Sequence, residues 1–121
     1  MKIKVNKIVW SGWNGGSSTE RYYEYDVCLG KEIVVSSMEV STLDSKGKED
    51  FKIRNIFSFK VVKVGKSSIK MLVNGEAGGG IYLKRNDGFK ARKVKLLINE
   101  IVKFSTKRMD CGETFELMLE S

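Results

Sequence analysis

Apolar and polar residues alternate with a period of two through residues 92–119, and this limits the fold more than any other feature. Val94, Leu96 and Ile98 alternate with Lys93, Lys95 and Leu97. Phe115, Leu117 and Leu119 alternate with Glu116, Met118 and Glu120. A period of two places one set of side chains on each face of a strand, so each strand has one face in a core and one in water. With residues 101–105 between them, the segment predicts three consecutive strands joined by tight connections, Cys111 falling in the turn before the last.

The same pattern runs through the rest of the chain. Residues 3–10 are rich in β-branched side chains and predict a first strand. Residues 21–29 predict a second, with Tyr23, Tyr25, Val27 and Leu29 on one face and Tyr22, Glu24, Asp26 and Cys28 on the other. Gly30-Lys31 reads as a hairpin turn into a third strand over residues 32–40. Residues 51–64 form a long strand region in which Phe51, Ile53, Phe57, Phe59 and Val61 point inward. Asn55 and Ile56 break that alternation, which predicts a bulge. Gly65-Lys66-Ser67, Asn74-Gly75 and Asn86-Asp87-Gly88 are turn signals, and a short strand is expected over residues 81–84.

No segment shows a helical period. Eight or nine short strands between turn signals predict one all-β domain over residues 1–121. The expected architecture is an antiparallel two-sheet β-sandwich, with a small closed β-barrel as the alternative. A chain of 121 residues buries a sufficient core without metal or disulfide staples.

Histidine is absent, which removes Ser-His-Asp and Cys-His catalysis and nearly all catalytic zinc sites. Proline is absent too, so no cis-proline shapes a site. The two cysteines, Cys28 and Cys111, are expected to stay reduced, since no continuous apolar block marks a secretory leader. A cytoplasmic location follows as the expectation, and the lack of a run of about 18 apolar residues argues against a membrane-spanning helix.

Charge is the one feature that points to a class of partner. Residues 51–108 hold fifteen Lys/Arg and three acids, net +12, whereas residues 1–50 are net −1 and residues 109–121 net −4; together these give the chain's +7. The densest cluster is Lys84, Arg85, Lys90, Arg92, Lys93 and Lys95. On one face it would attract phosphate backbones, with Tyr82, Phe89 or Trp13 available to stack on bases. Interleaving of Glu24, Asp26, Glu116 and Glu120 with these bases would neutralise it. Lysines on solvent faces also serve solubility and block edge pairing.

Other motifs are weaker. The glycine-rich run over residues 75–80 leads into a strand, not a helix, and reads as a hairpin connection and not a phosphate loop. Trp13, between Gly12 and Asn14, is hard to bury locally and is a candidate binding anchor. Cys111 sits beside Asp110 and Glu113, which suppress the thiolate. The carboxylate pairs Glu24/Asp26 and Glu49/Asp50 leave room for a small carboxylate-based enzyme, the least favoured class. The expected function is a non-catalytic binding module that contacts a protein partner or self-associates, with no cofactor, no metal and no membrane partner. Nucleic-acid binding through residues 84–95 is the alternative.

Overall fold

The computed structural model describes residues 1–12, 16–43, 46–75, 89–108 and 111–121, with side chains at all of these except 38–43, 49–55, 89–91 and 106–108. Eight strands are described: β1 (Lys2–Ser11), β2 (Ser17–Asp26), β3 (Glu32–Leu43), β4 (Glu49–Val64), β5 (Ser68–Gly75), β6 (Phe89–Leu97), β7 (Ile101–Arg108) and β8 (Cys111–Glu120). They form two antiparallel four-stranded sheets, one ordered β2-β1-β8-β7 and the other β3-β4-β5-β6. This is the expected β-sandwich. β2 does not pair with β3, nor β6 with β7, so the sheets stay open and the barrel alternative is not adopted.

The β4–β5 sheet takes its four strands in chain order, as a meander. The β1–β8 sheet is built from the two hairpins that flank it in sequence, with β8 returning to pair with β1 along Lys2↔Glu120 to Ser11↔Cys111. Each sheet contributes its alternating apolar face to one core. Ile3, Val5, Phe115, Leu117 and Leu119 come from the β1–β8 sheet, and Phe57, Phe59, Val61, Met71 and Leu96 from the other. Phe57 crosses the middle of the sandwich. Its ring stacks on Phe115 at a centroid separation of 4.1 Å and leans on Phe104 at 5.6 Å. Tyr25 meets Phe59 edge-on at 6.0 Å nearer the other end. Such pairs add about 0.5–1.5 kcal/mol each beyond the area they bury.

One polar link joins the sheets inside this core. β1's inward row runs Ile3, Val5 and then Lys7, whose ammonium lies 3.5 Å from the buried Glu113 carboxylate. The buried Ser36 hydroxyl, from the opposite sheet, donates to the same carboxylate at 2.9 Å. Burying a carboxylate is tolerated here because an ion pair and a hydrogen bond both face it.

The alternation of residues 92–119 is realised, but its first strand belongs to a different sheet from the other two. The 98–100 link crosses the sandwich. Ile98 N–H donates to Ser67 O at 3.1 Å on one sheet, and Asn99 N–H to Leu119 O at 2.9 Å on the other. Asn99 takes the left-handed conformation (φ 63°) that asparagine tolerates. Residues 27–31 cross in the same way, so Gly30-Lys31 is not a hairpin turn. Gly30 (φ 79°) donates to Val61 O at 2.8 Å and steers the chain onto the second sheet. Leu29, expected on the inner face, is 63% exposed because the strand ends at Asp26.

Three other expectations are corrected or refined. Asn74-Gly75 is not a turn: Gly75 pairs with both Phe57 and Phe89, so β5 runs through it. Cys111 opens β8 opposite Ser11 instead of lying in the preceding turn, and both cysteines are free thiols. The irregularity expected near Asn55 and Ile56 is present as register shifts between β3 and β4, with Phe57 opposite Ser36 and Asn55 opposite Ser37.

Candidate functional site

The outer face of the β4–β5 sheet gathers lysines from three strands. β4 and β5 are its central strands, and β6 is an edge. Lys70 of β5 lies directly opposite Lys63 of β4 on one side and Lys95 of β6 on the other. In the next row Leu72 lies between Lys60 and Lys93. All five lysines are exposed, and Lys66 is exposed on the β4–β5 turn beside them. Residues facing each other across an antiparallel ladder have Cβ atoms about 4.5–5.5 Å apart, and like charges so placed repel.

A local irregularity brings Lys63 into this row. The register shifts between Val61 and Lys63, leaving Val62 unpaired. Val61 therefore faces the core while Lys63, two residues on, faces out with Lys70. The row ends in a small cleft of about 270 Å³ lined by Lys63, Gly65, Ser68, Lys70 and Lys95. Gly65 N–H donates to Ser68 O at 2.8 Å and closes its floor.

The acids that would have neutralised this surface lie on the other sheet. Glu24 and Asp26 are on β2, and Glu116 and Glu120 on β8. There they meet bases of their own. Lys2 pairs with Glu24 at 3.3 Å, and Lys4 pairs with Glu120. Lys103 is opposite Glu116 in the register. The hydrogen bond and charge of Glu120 hold the Lys4 ammonium above its ordinary range. On the lysine face the nearest acid in register is Glu32, opposite Lys60 at the β3 edge. No ion pair to Lys60, Lys63, Lys70, Lys93 or Lys95 is found among the described residues.

Of the residues singled out from sequence, Lys93 and Lys95 lie on this face. Arg92 is exposed but belongs to the row of Val94 and Leu96. Lys90 lies on β6 with its side chain outside the described set, and Trp13, Lys84 and Arg85 lie outside the described residues, as does the expected 81–84 strand. Lys60, Lys63 and Lys70 were missed as site residues. The +12 segment contained them, but only strand pairing shows that they face Lys93 and Lys95.

A second concavity, of about 470 Å³, lies on the outer face of the β1–β8 sheet between Lys4, Asn6, Tyr22, Glu24, Ile101, Glu116 and Met118. Tyr22 is 74% exposed, and its hydroxyl donates to Glu20 at 2.7 Å, which raises the phenol's pKa above the ordinary value. Ile101 is exposed at its far side. Asn6 Oδ1 is buried there with no hydrogen-bond partner among the described residues. Orphaned buried acceptors of this kind are uncommon in folded proteins.

No group of His, Cys, Asp and Glu that could hold a metal ion occurs among the described residues, nor does any helix long and apolar enough to cross a membrane. Comparison with protein-family models, with curated proteins and with solved structures finds no match in any of the three.

Proposed function

We propose that the protein is a non-catalytic binding module that holds a nucleic-acid strand against the outer face of its β4–β5 sheet. The observation that carries this reading is the opposition of Lys63, Lys70 and Lys95 across three neighbouring strands. Edge protection accounts for lysines on β6. It does not account for Lys70, because β5 is paired on both sides at that residue. Solubility alone is met more cheaply by alternating charges, as on the opposite sheet. A row of mutually repelling ammonium groups becomes favourable once a polyanion neutralises it and its condensed counterions are released.

The chemistry of the face favours sequence-independent contact. Lysine is a compact point charge without the bidentate fork that reads guanine. The described outward side chains of β4, β5 and β6 include no aromatic on which bases would stack. Anisotropy of a labelled mixed-sequence oligonucleotide tests the reading. Each phosphate neutralised contributes about −0.7 to the slope of log K against log salt for a single strand, so five lysines predict a slope near −3.5. Weak binding with no salt dependence would reject it.

A second reading, contact with a protein partner or a second copy of the chain, is favoured by the exposed Tyr22 and Ile101 beside the orphaned Asn6 carbonyl. A partner that supplied a hydrogen-bond donor there would cover both. Under this reading wild type sediments as an oligomer, or retains a protein partner, and Tyr22→Glu abolishes the association. A monomer with no Tyr22-dependent partner would reject it.

A further inference from the structure

We propose that the cleft between Lys63, Lys70 and Lys95 is a phosphomonoester site, so that the lysine face grips a terminal phosphate more tightly than the internal phosphates of a strand. The inference rests on the reading of this face as a polyanion surface and names the group that its deepest point takes.

The geometry separates this cleft from the rest of the face. Lys60 and Lys93 are held apart by Leu72, so each offers an isolated charge. Lys63, Lys70 and Lys95 have no such spacer, and their row lines one cleft together with Ser68 and Gly65. At about 270 Å³ the cleft falls below the roughly 300–1,000 Å³ of pockets that enclose a whole small molecule. It is ample for a phosphoryl group and the ester oxygen that carries it, given about 30 Å³ for each water displaced. The three ammonium groups are donors only, and the Ser68 hydroxyl can donate beside them, which suits an anion rich in acceptors. An internal phosphodiester carries one negative charge and has two of its four oxygens esterified. A terminal phosphomonoester near neutral pH carries close to two charges and three free oxygens. It therefore gains more from three cations that line one cleft.

Gly65 has a defined part in this. A Cβ at that position would lie 3.2 Å from the backbone oxygen of Ser68 and 3.4 Å from its hydroxyl. A side chain there would crowd the Ser68 backbone oxygen that accepts from Gly65 N–H, which accounts for a glycine whose backbone torsion does not demand one.

The test compares two single-stranded oligonucleotides of one sequence, labelled at the 3′ end and carrying either a 5′-phosphate or a 5′-hydroxyl, by anisotropy at pH 7.5. The expected result is about fivefold or more tighter binding of the phosphorylated strand. This preference should fade below about pH 6 as the phosphomonoester takes up a proton and falls to one negative charge. Lys70→Gln should abolish the preference by weakening the phosphorylated strand more than the hydroxyl strand, which loses one of five contacts.

Equal affinity for the two strands overturns the phosphomonoester site and leaves the polyanion reading standing. Absence of binding by either strand overturns the nucleic-acid reading. Titration with inorganic phosphate, followed by backbone amide shifts at Ser68 and Lys70, then decides the cleft. Saturable shifts that Lys70→Gln removes uphold a phosphomonoester site used for a small molecule, and no shifts overturn it.

Discussion

Lys70 is opposed by a lysine on either neighbouring strand, Lys63 and Lys95, so its charge is placed at a cost to the fold. Replacing it with glutamine keeps most of the stem and removes the repulsion. Lys70→Gln should therefore stabilise the protein by about 0.2–1 kcal/mol, read as a higher urea midpoint with an unchanged slope. Lys4→Gln on the opposite sheet should not stabilise, since Lys4 is held by Glu120 and its charge is already matched. A Lys70 variant that is both less stable and unable to bind would show that the lysine serves packing, and would remove the case for a charge maintained against stability. The contrast also guards the binding test, because loss of binding by a more stable variant is not the result of unfolding.

β4 carries both sides of the molecule's design. Its sixteen residues present Phe57, Phe59 and Val61 inward and Lys60 and Lys63 outward, and the irregularity at Val62 lets the two rows coexist. Phe57 is fully buried and stacks across the sandwich on Phe115. Phe57→Ala should cost about 3–5 kcal/mol, measured by denaturant unfolding, and a cost under about 1 kcal/mol would mean that the two sheets are not held together through this ring. In β6 and β8 the faces were legible from alternation alone: Phe115, Leu117 and Leu119 are buried and Lys93 and Lys95 are exposed, as their spacing requires. Sheet membership was not legible. A glycine suits a hairpin turn and a crossing between sheets equally well, and only the bond from Gly30 N–H to Val61 O distinguishes them. Asn74-Gly75 carries a turn signature, yet tertiary pairing on both sides of Gly75 overrides it. Three of the five lysines of the candidate site were hidden for the same reason, since Lys60, Lys63 and Lys70 join Lys93 and Lys95 only through long-range register.

At the scale of the whole molecule, chain order turns a block of charge in the sequence into a face. The β4–β5 sheet takes β3, β4, β5 and β6 in chain order, so the +12 segment supplies most of its strands. The acidic C-terminal strand pairs instead with the N-terminal hairpin, whose lysines match it. The two outer faces therefore differ in kind: one carries the ion pairs Lys2–Glu24 and Lys4–Glu120, and the other exposes lysines with no ion pair among the described residues. The most direct test compares two double variants of equal charge, Lys63→Gln/Lys70→Gln and Lys2→Gln/Lys103→Gln, for binding to a labelled mixed-sequence oligonucleotide at two salt concentrations. The account predicts that the first loses affinity and flattens the salt slope by about 1.4, two phosphates at roughly 0.7 each, while the second binds like wild type. Equal losses from both variants would mean that only net charge attracts the oligonucleotide, and would contradict a binding face on the β4–β5 sheet.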